Sequence, residues 1–276
     1  MPTKTKSKKS DLRGHFGCHT TPFSRELPVA DRWDTHVYNE PLAELRGVVD
    51  HRMSGALIAP SGTGKTVILR TLADDLPDAR YRVCYVKLGS MGRRDLCREL
   101  AIVLGVEPTG TYPTLVRRVQ ERLLSSLSDD ARLTVALFDD MHEMRPDVLS
   151  VLRTLTNFDM DSRLALSVIL CGQPPLRNLL KRAEVESLTQ RLACVTLVRL
   201  LSRAEACDYI SHRLTIAGCK SEPFDHGALD AIYEVTRGNL RAIDHVAFKA
   251  LQLATQQNVP VIDASLVVEA RKRVMV

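Results

Sequence analysis

Short apolar runs alternate with longer stretches of helical period through the middle of the chain. The apolar runs are SGALIAP, YRVCYVKL, LTVALF and LALSVILC, and the stretches between them include RRDLCRELAIVLG and PDVLSVLRTLTNF. Alternation of this kind is typical of a parallel β-sheet with helices packed on its faces. We therefore predict the α/β fold class, with a parallel sheet flanked by helices, over residues 51–200.

The pattern changes at about Ser202, where the strand-like runs stop. The helical stretches that follow are opened in several cases by Ser or Asp and closed twice by Gly; they are SRAEACDYISHRLTIAG, FDHGALDAIYEVTRG, NLRAIDHVAFKALQLATQQ and DASLVVEARKRV. They predict a small all-helical domain over residues 201–276. Ahead of the core we expect a basic disordered tail at residues 1–11 and a linker-like, proline-containing segment at residues 12–50.

Composition indicates an ordinary globular protein, with 276 residues of which 45% are hydrophobic. The formal net charge is +5. Four of these charges come from the first ten residues, at Lys4, Lys6, Lys8 and Lys9. The remainder is close to neutral, so contact with a polyanion must come from the tail or from local basic clusters.

Two further features bear on the location of the protein. No run has the apolar core of a signal peptide or the length of about 18 apolar residues that a membrane span needs, so we expect a cytoplasmic protein without a membrane partner. The seven cysteines are scattered and form no C-x-x-C pair, which favours reduced thiols over disulfides or zinc. His15, Cys18 and His19 lie close together, but no second ligand pair follows at the spacing of a zinc finger.

The loop APSGTGKT, which follows the first apolar run, has the chemistry of a phosphate site. Its candidate ligands are Ser61, Gly62, Thr63, Gly64, Lys65 and Thr66. The glycines let backbone N–H groups converge on phosphate oxygens at a helix N-terminus, Lys65 reaches the β- and γ-phosphates of ATP, and Thr66 binds Mg²⁺. The loop is thus a Walker A motif rather than a turn without a ligand. Ala59 stands at the position of the first glycine of the motif. Alanine suits this position only if its φ is negative.

Two adjacent carboxylates, Asp139 and Asp140, follow the apolar run LTVALF. Asp139, at the strand end, is placed to be the second Mg²⁺ anchor that a P-loop requires. Asp140 has the position at which many such ATPases carry a water-orienting glutamate, and its shorter side chain predicts slow hydrolysis. Glu143 is a substitute candidate for that role. The alternative is that Asp140 only caps the following turn.

Together these motifs resemble the AAA+ ATPases, in the branch of the ExeA-type proteins and the transposition regulators TnsC and TniB, and more distantly MuB and IstB. The likeness spans about residues 12–274 and rests also on HFGCHTTPFSREL, LRTLTNF, ILCGQPPL, LTQRL, YISHRLTIAG and TRGNLRAID. It implies a P-loop AAA+ core followed by a helical lid. It also implies that Gln173 senses the γ-phosphate, that Arg191 is an arginine finger and that Arg241 is a second sensor. The alternative for both arginines is a solvated surface side chain.

In this family the finger acts across a subunit boundary, so the resemblance implies ATP-dependent head-to-tail assembly into rings or helical filaments. ExeA-type secretion ATPases share the core but typically continue into a membrane helix and a cell-wall-binding domain, which this sequence lacks. We therefore expect a transposition regulator that oligomerises on target DNA, recruits or activates a transposase, works with target-selection proteins and disassembles on ATP hydrolysis. The alternatives are a secretion assembly ATPase and a nucleotide-gated DNA-binding scaffold with negligible hydrolysis.

Two basic clusters are candidates for contact with double-stranded DNA. They consist of Arg93 and Arg94 in GSMGRRDLCREL, and of Arg117 and Arg118 in YPTLVRRVQERL. Because no aromatic residues are interleaved with them, we expect sequence-independent contact with the duplex backbone. The alternative is a solvated helix face. Phe16 or Phe23, ahead of the core, is a candidate to lie against adenine, or else packs in a core.

Overall fold

The computed structural model describes residues 11–87, 89, 91–128, 131–158 and 164–274. The chain divides into two compact units, Asp34–Arg199 and a second formed by Met1–Trp33 together with Leu200–Val276. We call them the α/β unit and the helical unit. The basic tail predicted at residues 1–11 lies outside the described residues except for Asp11.

A five-stranded sheet forms the centre of the α/β unit. Its strands are β1 (Ser54–Ile58), β2 (Tyr81–Lys87), β3 (Leu133–Asp139), β4 (Leu166–Gly172) and β5 (Leu192–Leu197). The strand order is β2-β3-β4-β1-β5, and all the pairings are parallel. Every residue of β1, β3 and β4 is buried, as expected for parallel strands covered on both faces. The predicted α/β class with a parallel sheet is confirmed.

The helices are, in chain order, α1 (Leu12–Phe16), α2 (His36–Asp50), α3 (Lys65–Asp75), α4 (Arg93–Leu104), α5 (Tyr112–Ser128), α6 (Pro146–Thr156), α7 (Pro175–Leu180), α8 (Glu186–Thr189), α9 (Arg203–Ile216), α10 (His226–Thr236), α11 (Leu240–Gln257) and α12 (Ala264–Val274). Those from α2 to α8 belong to the α/β unit. The segment 12–50, predicted as linker-like, is divided between the units after Trp33. Its second part is α2, which buries Leu45 and Val49 completely.

Side chains of alternate strand residues point to opposite faces of the sheet. On one face, Ala136 and Phe138 of β3 share a continuous apolar cluster with buried residues of α4, α5 and α6. Phe138 is fully buried within it. Helix α2 packs against β1 and β5. This packing fixes the strand ends from which the candidate site is built.

Polar caps begin the helices of the helical unit, as the sequence predicted. Ser202 accepts a hydrogen bond from the N–H of Glu205 at the start of α9, and Asp225 accepts one from Ala228 at 2.6 Å at the start of α10. Asp263 does the same ahead of α12. Each cap satisfies an N–H group that has no partner within its helix. Among the helices of the described ranges, none has both the length and the apolar character that crossing a membrane requires.

A disulfide joins Cys18 to Cys219 within the helical unit. The expectation that all seven cysteines are reduced is therefore wrong for this pair. The N–H of His19 donates to the carbonyl of Ala217 at 2.8 Å, which brings the two cysteines together although 201 positions separate them. Sequence spacing alone does not reveal such a contact. Disulfides are rare in the cytosol, and the predicted cytoplasmic location is not confirmed.

Candidate nucleotide-binding site

The carboxyl ends of three neighbouring strands form the candidate site. β1 leads into the predicted Walker A loop, β3 ends at Asp139, and β4 is followed by Gln173. Since β4 pairs with both β1 and β3, the segments that follow these strands lie side by side at one edge of the sheet. Ligands of open parallel sheets bind at this edge.

The Walker A loop has the backbone conformation that its sequence demands. Gly62 and Gly64 have φ angles of 76° and 89°, in a region that glycine enters without a Cβ penalty. Gly64 directly precedes α3, so the loop leads into a helix N-terminus. Ala59 is not among the residues with positive φ, and its N–H donates to the carbonyl of Gly172 at 3.1 Å. The alanine at the first glycine position therefore causes no backbone strain.

Hydroxyl groups stabilise the loop from inside. Thr63 is buried, and its Oγ1 donates to the carbonyl oxygen of Pro60 at 2.8 Å. The hydroxyl of Tyr38, on α2, donates to the carbonyl oxygen of Thr63 at 3.1 Å. Ser61 is exposed at the loop tip. The loop is thus held in shape by its own residues and by α2.

Lys65 carries its charge within the loop. It is the first residue of α3 and is only 9% exposed. Its Nζ donates to the carbonyl oxygens of Ala59 at 3.2 Å and Pro60 at 2.9 Å. Both acceptors belong to the loop, so the ammonium group lies where phosphate oxygens would bind.

Asp139 is a buried carboxylate with three neutral hydrogen-bond donors. It is 3% exposed, and its Oδ2 accepts from Thr66 Oγ1 at 3.1 Å and from the Tyr85 hydroxyl at 3.1 Å. Its Oδ1 accepts from the N–H of Asp140 at 2.9 Å. A carboxylate and a threonine hydroxyl side by side are the oxygen ligands that Mg²⁺ uses in P-loop proteins. The residues present therefore fit a magnesium ion.

Tyr85 and Cys171 are site residues that sequence reasoning missed. Burial, followed by the nearby charge of Asp139, raises the pKa of the Tyr85 hydroxyl above its usual value, and the same two causes raise the pKa of the Cys171 thiol. Both groups therefore remain protonated donors at neutral pH. The available signal was the position of Tyr85 near the end of β2, two residues before Lys87, which pairs with Asp139.

Asp140 adopts a left-handed conformation, with φ of 60° and ψ of 29°, and is half-buried. It precedes the short 3-10 helix Met141–Glu143, but its side chain makes no capping hydrogen bond to that helix. The alternative that Asp140 only caps the turn is therefore not supported. Glu143, the substitute candidate, ends the 3-10 helix with a side chain that is 56% exposed. Asp140 is the more enclosed of the two carboxylates.

Gln173 lies directly after β4 and is half-buried. Its Nε2 is 2.7 Å from Nε2 of His142, the central residue of the 3-10 helix. The carbonyl of Gln173 accepts from the N–H of Leu176 at 2.8 Å, which fixes its backbone at the start of α7. The structure thus brings the predicted sensor next to the segment that carries Asp139 and Asp140.

A cavity of about 630 Å³ lies beside the Walker A loop. The first turns of α2, the loop residues Ala59 and Pro60 and the end of β5 line it. Its charged lining residues are of both signs, Arg177 and Arg199 with Glu40 and Glu44. Its position next to the loop suits the nucleoside part of a nucleotide. Phe16 and Phe23, in contrast, are buried within the helical unit, where Phe23 packs edge-on against Phe224. This supports the packing alternative for the two phenylalanines.

Arg191 lies at the amino-terminal ends of the strands, whereas the Walker A loop lies at their carboxyl ends. It directly precedes β5, whose first residue, Leu192, pairs with Ser54 at the start of β1. The loop begins only after Ile58, about 16 Å further along for a rise of about 3.3 Å per residue. An arginine side chain does not span this distance. The structure therefore does not bring Arg191 to the loop of its own chain, and Arg241 is exposed in the first turn of α11 in the helical unit.

Arg93 and Arg94 open α4, after the carboxyl end of β2. Nε of Arg93 donates to Asp147 at 3.2 Å, although half of the arginine side chain remains exposed. Nε and Nη2 of Arg94 both bind the carbonyl of Gly110, at 3.2 and 3.0 Å. Both guanidinium groups already hold contacts within the α/β unit.

Arg117 and Arg118 lie on α5. Arg117 is 74% exposed and forms a 3.6 Å ion pair with Glu121, one helical turn away. Nη1 of Arg118 donates to the carbonyl of Thr109 at 3.0 Å and forms a 3.6 Å ion pair with Glu107. A surface pair such as the one at Arg117 contributes little to stability, so Arg117 is the easiest of the four to redirect to another anion.

Comparison with known proteins agrees with this geometry. Residues 48–180 match a family model described as AAA domain. The chain is 30% identical over 239 residues to the general secretion pathway protein A of Aeromonas hydrophila. That alignment covers 86% of this chain and 43% of the relative, so the chain spans less than half of the relative's length.

Solved structures share the fold at low sequence identity. Cdc6p from Pyrobaculum aerophilum matches with a TM-score of 0.71 and 18% identity, over 91% of this chain and 70% of that one. The ORC1 protein of Aeropyrum pernix, solved in complex with DNA, matches with a TM-score of 0.68 and 17% identity, over 90% and 68% of the two chains. Residues 48–180 are thus similar to AAA domains, and the predicted P-loop AAA+ core fold is confirmed.

Proposed function

We propose that this chain is a magnesium-dependent ATPase. The observation that carries the proposal is the pair formed by Thr66 and the buried Asp139, 3.1 Å apart at the ends of α3 and β3, beside a loop that already encloses Lys65. Magnesium held by these two oxygens would offset the negative charge of the triphosphate. The same residues fit no other common use of a glycine-rich loop as well as they fit a nucleoside triphosphate.

The roles of the other residues follow from their positions. Backbone N–H groups of the loop and the N-terminus of α3 bind phosphate oxygens, and Lys65 neutralises their charge. Asp140, half-buried next to Asp139, orients the attacking water. Gln173 contacts the γ-phosphate through its amide. The shorter side chain of Asp140 leads us to expect slow turnover.

Steady-state and single-turnover ATP hydrolysis test the proposal. Lys65→Ala should abolish binding and turnover, whereas Lys181→Ala, an exposed lysine of the same unit, should leave both unchanged. Asp140→Asn should retain ATP binding and lose single-turnover hydrolysis. An Asp140→Asn rate equal to that of the parent protein would refute the water-orienting role.

We further infer that Arg191 acts on the nucleotide of a neighbouring copy. Its separation from the loop of its own chain along β5 supports action in trans, which implies head-to-tail contacts that close into a ring or continue as a filament. Mixing Lys65→Ala with Arg191→Ala should restore part of the ATPase activity, because one mixed interface then has an intact loop and an intact arginine. No recovery in the mixture, or monomers only by negative-stain imaging with a non-hydrolysable analogue and DNA, would contradict it.

We propose double-stranded DNA as the polymer on which the assembly acts, in the regulation of transposition with a transposase and target-selection proteins. The DNA complex of the similar ORC1 protein supports a DNA-directed role, as does the exposure of Arg93 and Arg117. Affinity should fall with salt and with Arg93→Ala/Arg94→Ala, and ATP should strengthen it. Arg153→Ala, on α6, is the matched control. Binding insensitive to salt and to these substitutions would remove the assignment.

The identity with general secretion pathway protein A favours a second candidate, an ATPase of a secretion pathway. The two functions differ in what stimulates hydrolysis. Turnover that rises when duplex DNA is added supports the DNA-directed role. Turnover that is measurable but indifferent to DNA favours the secretion role, and DNA-bound assemblies with almost no turnover favour a nucleotide-gated scaffold.

A further inference from the structure

His142 is a largely buried histidine between the two predicted catalytic segments. It is the middle residue of the 3-10 helix Met141–Glu143, and its side chain is 9% exposed. Nε2 lies 2.7 Å from Nε2 of Gln173. Nδ1 is buried and has no hydrogen-bond partner among the described residues. An unsatisfied buried polar atom costs about 1–3 kcal/mol, so its presence at a catalytic edge calls for a functional reason.

The backbone around Gly172 is built to bring these residues together. A Cβ at Gly172 would lie 3.1 Å from the backbone nitrogen of His142 and 2.9 Å from Cδ2 of Leu176. Glycine therefore allows the 3-10 helix to approach the end of β4. The Gly172 carbonyl also accepts the N–H of Ala59 at 3.1 Å. The Walker A loop, the segment after Asp139 and the sensor thus meet at one residue.

The contact of Gln173 with an imidazole nitrogen has two possible arrangements. Either the amide NH₂ donates to an unprotonated Nε2, or a protonated Nε2 donates to the amide oxygen. The second arrangement leaves the NH₂ group of Gln173 available to donate to a phosphate oxygen. Oε1 of Glu143 is 3.9 Å from Nε2, too far for a hydrogen bond. Gln173 is therefore the hydrogen-bond partner of the ring.

We propose that His142 is a positioning residue that sets which end of the Gln173 amide, the NH₂ group or the oxygen, is presented to the γ-phosphate. It does not touch the nucleotide itself. Because His142 is three residues after Asp139 in one short segment, it links the orientation of the sensor to the segment that carries Asp139 and Asp140. The inference rests on the proposed ATPase function.

Kinetics of three variants test the inference. His142→Leu should lower kcat about 10- to 100-fold, as loss of an orienting partner does, with little change in the KM for ATP. His142→Gln keeps a hydrogen-bonding amide near the same place and should recover most of the rate. His142→Leu should cause no further loss in a Gln173→Ala background, since the two side chains act as one unit. His51→Leu, an exposed histidine of the same unit, is the control.

Different outcomes separate this inference from the proposed function. A parent protein that does not hydrolyse ATP refutes the ATPase and the inference with it. An active parent with an unaffected His142→Leu, or with additive losses in the double variant, overturns the inference alone. If His142→Leu does not fold, ¹⁵N NMR of the His142 ring in the parent and in Gln173→Ala replaces the kinetics. An unchanged ring spectrum would show that Gln173 is not its partner.

Discussion

The half-buried carboxylate of Asp244 should make the stability of the helical unit depend on pH. Its side chain is 17% exposed, the Tyr209 hydroxyl donates to it at 2.9 Å, and Arg213 lies 3.5 Å away. Burial raises the pKa of Asp244 to about 6, against smaller opposing effects of the Arg213 charge and the Tyr209 hydrogen bond. The guanidinium of Arg213 is shared, because it also donates to the Tyr209 hydroxyl and to the carbonyl of Ser24.

The sign of the effect follows from the direction of this shift. The folded pKa of Asp244 lies above the ordinary aspartate value of 3.8, so the folded state holds the proton more tightly than the unfolded state. Its stabilising contribution is complete below about pH 4 and is lost as the pH rises through about 6. A tenfold change in a protonation equilibrium is worth about 1.4 kcal/mol, so the full loss is about 3 kcal/mol. About 2 kcal/mol of it falls between pH 4.5 and 7.5.

Urea unfolding of the parent and of Asp244→Asn measures this loss. Trp33 is the single tryptophan and its ring lies 5.6 Å from that of Tyr209, so its fluorescence reports on the helical unit. The free energy of unfolding of Asp244→Asn, minus that of the parent, should rise by about 2 kcal/mol from pH 4.5 to 7.5. Asp208→Asn, an exposed carboxylate of α9, is the control and should show no such trend. A flat difference for Asp244→Asn would refute the reasoning.

Three other substitutions test single contacts. Tyr85→Phe removes a donor to Asp139 and should raise the Mg²⁺ concentration that gives half-maximal ATP hydrolysis about tenfold; an unchanged Mg²⁺ titration would contradict this. Cys18→Ser removes the disulfide and should lower the free energy of unfolding by about 2–5 kcal/mol in urea, and equal stability of parent and variant without reductant would contradict it. Gly172→Ala places a methyl group against His142 and should cost about 1–3 kcal/mol by the same assay, with an unaffected midpoint as the contrary result.

The central strands could be predicted from sequence because both of their faces are buried. β1, β3 and β4 are mostly apolar runs that are buried along their whole length, and such runs signal a parallel sheet. β5 was not predicted. It is an edge strand, and its exposed residues, among them Val195 and Leu197, alternate with buried or half-buried ones. Helix α2 was missed because Pro41 lies inside it, and proline inside a pattern usually predicts the end of a helix.

Some residues of the candidate site could be predicted from short motifs, whereas others depend on contacts between distant parts of the sequence. Lys65, Thr66 and Asp139 follow from motif spacing, since each lies next to a strand or helix end that the pattern predicts. The contacts of Tyr85 with Asp139 and of His142 with Gln173 join residues 54 and 31 positions apart. They depend on which strands become neighbours in the sheet. Strand order is not encoded in any short stretch, so these partners emerge only from the structure.

The chain passes twice between the α/β unit and the helical unit. Residues 11–33 and 200–274 belong to the helical unit, so the α/β unit is joined to it twice, after Trp33 and after Arg199. The cavity beside the Walker A loop is lined by His36, which follows the first connection, and by Arg199, the last residue before the second. The cavity therefore lies beside residues that are close in sequence to both connections. The disulfide between Cys18 and Cys219 links the segment that contains α1 to the residues just after α9, so these two distant parts of the sequence are joined covalently within the helical unit.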